Sequence, residues 1–107
     1  MCIIDVEDYR GERVTFSQKK LEEKSKQHPE LKKTAFIARV KTAITDPDYV
    51  WEDYGDKKNR RCYYRKYSTT TYVKVVVWVT SKPCVVVTAY EIDKIKEEHY
   101  SGLKQLK

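Results

Sequence analysis

The chain has 107 residues, with 22 Lys and Arg against 16 Asp and Glu, for a net charge of +6. This length suits one hydrophobic core, so we expect a single domain over residues 1–107. The longest apolar run, residues 75–79, is far shorter than the ~20 residues of a membrane-spanning helix. We therefore expect a cytoplasmic protein that has no membrane partner.

Three short segments precede the first predicted helix. Residues 1–6 favour a short strand or a tail docked on the core, residues 8–11 a turn, and residues 13–16 an edge strand. Ser17 is a good N-cap for residues 18–24, which favour helix but include only one aliphatic side chain. We expect this first helix to be short and exposed.

A second helix is predicted from Pro29 to about Thr45. Pro disfavours helix at the residue before it and is accepted at the first helical position, so His28 falls at the N-cap. An apolar stripe recurs at helical spacing and consists of Ile37, Val40 and Ile44. This helix is expected to cover one face of a sheet.

Residues 72–90 are the most apolar part of the chain and predict the centre of that sheet. Two valine-rich runs, at 75–77 and 85–87, flank a polar break that contains Pro83, which is typical of a β-hairpin. Because consecutive positions are apolar, both faces of these strands should be covered. Lys74, inside the first strand, then needs water, a partner or an anion.

Further strands are predicted at residues 49–51 and 61–67, and a last helix from Ile92 to about Tyr100. The whole pattern predicts an α+β fold. N-terminal helices would pack on one face of a three- to four-stranded antiparallel β-sheet, followed by a short C-terminal helix.

The basic charge is concentrated in residues 55–66, which hold six cations and one acid, interleaved with aromatic residues. This pattern favours a polyanion as partner, with RNA the leading candidate. A solvated loop that keeps the protein soluble is the alternative.

The strand register decides which side chains share a face. If Tyr67 paired with Tyr72, Arg65 would lie opposite Lys74, and two cations in that position require an anion between them. One face would then carry a platform for phosphate and bases, or solvated cations over a core Trp: Arg61, Tyr63, Arg65, Lys74 and Trp78. Thr88 and Tyr90 would lie on the opposite face with a four-residue hairpin loop, and on this face with another loop length or a bulge.

His28 is a candidate for acid–base chemistry. A helix N-terminus attracts phosphate and favours a neutral imidazole, which a general base needs; a simple cap is the alternative. The sequence has no metal-ligand spacing, glycine-rich phosphate loop or nucleophile motif, and its three cysteines are expected to be reduced. We expect neither a metal nor a cofactor.

Five short motifs follow one another in a recognisable order: residues 28–31 (His-Pro-Glu-Leu), 46–50 (Asp-Pro-Asp-Tyr-Val), 60–64 (Arg-Arg-Cys-Tyr-Tyr), 73–77 and 87–90. Their order and spacing, over about residues 13–92, resemble the phage-associated branch of the barnase–EndoU–colicin–RelE superfamily of small metal-independent nucleases. The resemblance implies helices on a four-stranded antiparallel sheet. It also implies RNA cleavage by attack of a ribose 2′-hydroxyl on the adjacent phosphate.

The resemblance also assigns roles to residues of this chain. His28 would be general base or acid, Arg61 and Lys74 would stabilise phosphate charge, and Thr88 and Tyr90 would bind phosphate or complete proton transfer. Substrate binding is expected from Arg60, Arg61, Tyr63 and Arg65. The leading hypothesis is a toxin-like or phage-encoded ribonuclease with a neutralising, antitoxin-like partner. The alternatives are a non-catalytic RNA-binding module that uses residues 60–66, and a structural or interaction domain whose basic loop meets an acidic partner.

Overall fold

The computed structural model describes residues 2–95 and 102–107. Within these ranges the chain forms six strands and two α-helices, with a short 3₁₀ turn, Pro29–Lys32, between the helices. The elements are β1 (Cys2–Glu7), β2 (Arg13–Ser17), α1 (Gln18–Lys24), α2 (Thr34–Thr45), β3 (Tyr49–Glu52), β4 (Arg60–Lys66), β5 (Tyr72–Trp78) and β6 (Cys84–Ile92).

The six strands lie in one mixed sheet in the order β1-β2-β6-β5-β4-β3. β2 runs parallel to β6, and the other neighbouring pairs are antiparallel. The prediction of a three- to four-stranded antiparallel sheet is therefore wrong. Of the two alternatives for residues 1–6 the short strand is correct, but residues 13–16 are not an edge strand, because β2 pairs with both β1 and β6. The β1–β2 hairpin extends the sheet at β6 and buries Ile4, Val14 and Phe16 in the core.

The predicted hairpin of β5 and β6 is confirmed, and it occupies the centre of the sheet. Val75 and Val77 face the main core, where α2 packs against the sheet. Val76 faces the opposite side, in a smaller cluster with Cys62 and Tyr64. Both faces of this strand are covered, as consecutive valines require.

The first helix is also as predicted. The Ser17 side chain accepts a hydrogen bond of 3.1 Å from the backbone N–H of Lys20, which satisfies one of the free donors at the helix start. Leu21 is the buried residue of α1.

The second helix does not run unbroken from Pro29 to Thr45, as predicted. Lys33 is extended, with φ −86° and ψ 127°, and it separates the 3₁₀ turn from α2. In a continuous α-helix, Leu31 and Phe36 would point about 140° apart. The break allows both side chains to enter the same core. His28 therefore caps a 3₁₀ turn and not an α-helix.

The predicted C-terminal helix is wrong over its first residues. Ile92 is the last residue of β6 and pairs with Tyr72, and residues 93–95 are not helical. The remainder of that predicted helix, with His99, lies in residues 96–101, outside the described part of the chain. Farther on, the backbone N–H of Leu106 donates to Val50 O at 2.7 Å, so the C-terminal residues follow the edge of β3. Neither helix of the described ranges is long and apolar enough to cross a membrane.

Candidate active site

The pairing of β4 with β5 differs by one residue from the register considered above. Lys66, not Tyr67, lies opposite Tyr72, and Lys74 lies opposite Tyr64. Because successive side chains of a strand alternate between faces, this single step moves Lys74 away from Arg61, Tyr63 and Arg65. The expected platform of those residues with Lys74 and Trp78 is not formed.

A β-bulge in β6 decides where the last two candidates point. Val76 pairs with Thr88, but Val77 pairs with Val86, so Val87 is the additional residue. The bulge brings Thr88 and Tyr90 onto the same face of the sheet as Lys74, and Tyr90 lies directly opposite Lys74. A regular strand would have turned both side chains toward the main core.

These residues line a hollow of about 240 Å³ on the face of the sheet opposite to α2. The central strands form its floor, and the loop between β3 and β4 forms one wall. The lining residues are Asp53, Tyr54, Gly55, Arg60, Lys74, Val76, Val87, Thr88 and Tyr90.

His28, in the loop after α1, contacts Tyr90, one of the residues that line the hollow. Its imidazole stacks on the Tyr90 ring, with the ring centroids 4.7 Å apart and the planes at 14°. β2 pairs with β6 only at Cys84 and Val85, so the later residues of β6 are beyond that pairing and can contact the loop. Three of the four candidates for catalysis therefore line the hollow, and the fourth, His28, stacks on one of them.

Lys74 places a largely buried positive charge in the hollow, since only 6% of its surface is exposed. Its Nζ lies 5.6 Å from the centroid of the Tyr64 ring and 5.8 Å from that of Tyr90. Aromatic faces attract a cation, and the attraction grows when water is excluded. With Arg60, Lys74 gives the hollow two cations against the one carboxylate of Asp53, which favours an anionic ligand.

Arg60 provides a second cation, and a carboxylate orients it. Its Nη2 lies 3.0 Å from Oδ2 of Asp53. The other oxygen of Asp53 accepts a hydrogen bond of 3.4 Å from Sγ of Cys62. The wall is close-fitting, because a Cβ atom added to Gly55 would lie 3.0 Å from Nη2 of Arg60.

Two donors of the hollow have no hydrogen-bond partner among the described residues: Oγ1 of Thr88 and Nε of Arg60. Leaving such a buried donor unsatisfied costs about 1–3 kcal/mol. Both groups can donate hydrogen bonds to the oxygens of an anionic ligand.

The other predicted substrate-binding residues lie on the opposite face. Tyr63 is 1% exposed, and its hydroxyl donates to Oδ2 of Asp8 at 2.7 Å. Nη1 of Arg65 donates to Oδ2 of Asp46 at 2.9 Å, and Arg61 lies opposite Val77, which belongs to the main core. Of that group only Arg60 lines the hollow.

Three lining residues were not predicted as part of a site: Asp53, Tyr54 and Gly55. These residues belong to a polar loop whose sequence has no motif, and only the folded chain places them against β5 and β6. Across residues 2–95 and 102–107, no group of three or more His, Cys, Asp or Glu side chains is arranged to hold a metal ion.

The chain is thus a small basic protein built on a six-stranded mixed sheet, with a hollow lined by two cations and with an imidazole stacked on one of its tyrosines. The model of one family, phage-Barnase-EndoU-ColicinE5/D-RelE like nuclease 2, matches residues 5–105. The chain belongs to this family of phage-type nucleases, which confirms the resemblance noted in its sequence. No curated protein and no solved structure matches the chain.

Proposed function

We propose that the protein is a metal-independent ribonuclease that cleaves by attack of a ribose 2′-hydroxyl on the adjacent phosphate. The observation that carries this proposal is that Lys74, Thr88 and Tyr90 line one hollow with unsatisfied donors, and that His28 stacks on Tyr90. Membership of a nuclease family supplies the reaction class. RNA is favoured over DNA because the ribose itself carries the nucleophile.

The proposed reaction needs two proton transfers. His28 takes the proton of the 2′-hydroxyl, and the freed oxygen forms a bond to phosphorus. The bond from phosphorus to the 5′-oxygen breaks, and that oxygen takes a proton from the Tyr90 hydroxyl. The products are a 2′,3′-cyclic phosphate and a 5′-hydroxyl, with no change of oxidation state.

Charge develops on the phosphoryl oxygens during this reaction, and the cations of the hollow are placed to balance it. Lys74 would contact one oxygen, while Thr88 and Arg60 would donate hydrogen bonds to another. Donors held in position before the reaction stabilise a transition state without reorganisation. A buried ammonium and a guanidinium fixed by Asp53 meet this requirement.

Two exposed aromatic residues on the face of the sheet that carries the hollow support a single-stranded substrate. Tyr54 lines the hollow and is 55% exposed. Trp78 is 37% exposed and lies opposite Arg60, on the same face. Aromatic side chains beside a cationic groove stack on unpaired bases, at about 1–3 kcal/mol per base.

The alternative of a binding module that uses residues 60–66 is less well supported. Alternation along β4 sends its cations to both faces of the sheet, so they form no continuous row. Tyr63 and Tyr64 are buried and cannot stack on bases. RNA that is bound but not cleaved would favour this non-catalytic function, and the experiment below includes that outcome.

The proposal extends to a toxin-like role in the cytoplasm. A ribonuclease that needs no metal would damage the RNA of the cell that makes it, which is the reason to expect a neutralising protein. Such a partner would have to cover the hollow or displace His28 from Tyr90.

The test is cleavage of a short single-stranded RNA by purified protein, with and without EDTA. We expect cleavage in both conditions, a cyclic phosphate product, and resistance of an RNA whose 2′-hydroxyls are methylated. His28→Ala and Tyr90→Phe should each lower kcat by about 10²–10⁴-fold, the usual contribution of general acid–base catalysis. The matched control Tyr49→Phe changes an exposed tyrosine of β3 and should cut normally.

Three outcomes would contradict the proposal. They are cleavage that EDTA abolishes, equal cleavage of the methylated RNA, and RNA that is bound but left intact. The last result would favour the non-catalytic module.

A further inference from the structure

A buried carboxylate oxygen lies beside the imidazole of His28. Oε1 of Glu30 is buried and has no hydrogen-bond partner within the described chain. It lies 3.8 Å from Nδ1 of His28. A buried carboxylate oxygen without a hydrogen-bond donor destabilises the fold. Packing therefore does not explain why the carboxylate of Glu30 lies beside His28.

The local chain geometry holds the two side chains together. Glu30 follows His28 by two residues, in the 3₁₀ turn that begins at Pro29. The backbone N–H of Leu31 donates to His28 O at 3.1 Å, and the Leu31 side chain is anchored in the core. The relative position of His28 and Glu30 is therefore set by a short, anchored turn.

The Tyr90 ring restrains the plane of the imidazole, since the two rings stack at 14°. Nδ1 then faces Glu30, and Nε2 lies on the opposite side of the ring. The two nitrogens of a histidine are distinct, and the partner of one nitrogen decides the chemistry available at the other.

We infer that Glu30 is a positioning residue, which keeps a proton on Nδ1 of His28 and leaves Nε2 to exchange protons with the substrate. This inference rests on the proposed ribonuclease function. When Nε2 takes the 2′-hydroxyl proton, the ring becomes a cation beside the carboxylate of Glu30, which stabilises it without itself being protonated. Only an anion can stabilise the imidazolium in this way, and neither Tyr90 nor Lys74 offers one to His28.

The distance of 3.8 Å must shorten by about 1 Å to make a hydrogen bond. Catalytic hydrogen bonds are often long before substrate binds and tighten in the complex. A rotation of one side chain is sufficient for such a shift.

The first arm of the test compares Glu30→Leu with Glu23→Leu. Leu keeps a similar volume but removes the acceptor, and Glu23 is an exposed residue of α1 that serves as the control. Glu30→Leu should lower kcat for RNA cleavage on the order of 10- to 100-fold, with KM unchanged because Glu30 does not touch the substrate. Its thermal midpoint should stay the same or rise, since an unsatisfied buried oxygen is removed.

The second arm needs no activity. The chain has two histidines, so the ring ¹⁵N signals of His28 are identified by their loss in His28→Ala. In the wild type at neutral pH we expect the tautomer that is protonated at Nδ1, and in Glu30→Leu a shift toward protonation at Nε2. Glu23→Leu should match the wild type.

An unchanged tautomer overturns the inference, and so does a rise in KM with kcat intact, which would indicate a merely structural role. If the wild type leaves RNA intact, the proposed function fails, whereas the NMR comparison still decides whether Glu30 controls the His28 tautomer. The two failures are therefore distinguishable.

Discussion

At the scale of single residues, the side chain of Thr88 has a polar group that the stability of the fold does not require. Its hydroxyl is buried, and within the described ranges it has no hydrogen-bond partner, although it lies on a central strand. A valine has nearly the same shape and no polar atom. Strands favour such β-branched apolar residues. A methyl group in place of the hydroxyl would therefore serve the stability of the fold equally well.

We therefore predict that Thr88→Val keeps or raises the free energy of unfolding while RNA cleavage falls. Removing an unsatisfied buried hydroxyl relieves a desolvation cost of about 1–3 kcal/mol. Urea denaturation and a cleavage assay, made on the same preparation, measure the two effects.

Thr45→Val is the matched control, because its hydroxyl donates to Lys41 O on the exposed side of α2. A Thr88→Val protein that loses more than about 1 kcal/mol of stability would show that the hydroxyl has a structural partner and is not reserved for a ligand.

Among the elements, β4 is tied to the turn between β1 and β2 by one buried contact. The Tyr63 hydroxyl donates to Oδ2 of Asp8 at 2.7 Å, and Oδ1 of Asp8 accepts from the backbone N–H groups of Arg10 and Glu12. The carboxylate thereby closes the turn and links it to a strand on the other side of the sheet. Burial, and then the neighbouring Asp8 carboxylate, raise the pKa of Tyr63.

This contact predicts a specific alkaline instability. An unfolded tyrosine ionises near pH 10, whereas the folded Tyr63 stays protonated, so the unfolded state binds fewer protons. The free energy of unfolding then falls as pH rises above about 10. In Tyr63→Phe this part of the decline should be absent, and at pH 7 the protein should be about 1.5–3 kcal/mol less stable because a hydrogen bond to a charged group is lost.

The measurement is urea denaturation of both proteins between pH 7 and pH 11, with Tyr49→Phe as a control for an exposed tyrosine. Parallel stability curves for the wild type and Tyr63→Phe would contradict the prediction.

The bulge in β6 is the element on which the site depends. With Val87 as the additional residue, Thr88 and Tyr90 point into the hollow while Val86 and Ala89 remain in the main core. Bulges frequently occur beside active sites, where they redirect side chains. A strand without this irregularity would satisfy its backbone equally well but would separate Tyr90 from Lys74.

For the molecule as a whole, the sheet divides the cations between two faces. Arg60 and Lys74 lie at the hollow, whereas Arg61 and Arg65 lie on the face that α2 covers. In the proposed complex Arg60 and Lys74 would contact RNA phosphates and release their counterions, whereas the net charge of +6 would act from a distance.

This division predicts the salt dependence of RNA binding. Arg60→Gln should reduce the slope of log K against log salt concentration by about 1, the value expected for one lost phosphate contact. Arg39→Gln removes an equal charge from α2, where Arg39 lies over the Tyr67 ring, and should leave the slope unchanged. Equilibrium binding of a methylated RNA, which is not cut, measures the slope.

Equal reductions in the two variants would mean that RNA senses only the total charge. That result would contradict the proposal that RNA binds at the hollow.

The sequence by itself determined part of the local structure and the chemical types in the site. The Ser17 cap, the hairpin of β5 and β6 and the positions of His28 and Lys74 follow from neighbouring residues, because caps, turns and valine runs act over a few positions. The family resemblance also selected Thr88 and Tyr90 before any geometry was known.

Only the tertiary structure decided which of these groups meet. A change of one residue in register reverses every side chain of a strand, so Arg60 and not Arg61 faces the hollow, and the bulge at Val87 turns Thr88 and Tyr90 toward Lys74. The same holds for β2, which joins β6 as a parallel strand after a long connection. Such pairings depend on how side chains that are distant in the chain are buried together. A local sequence pattern therefore does not predict them.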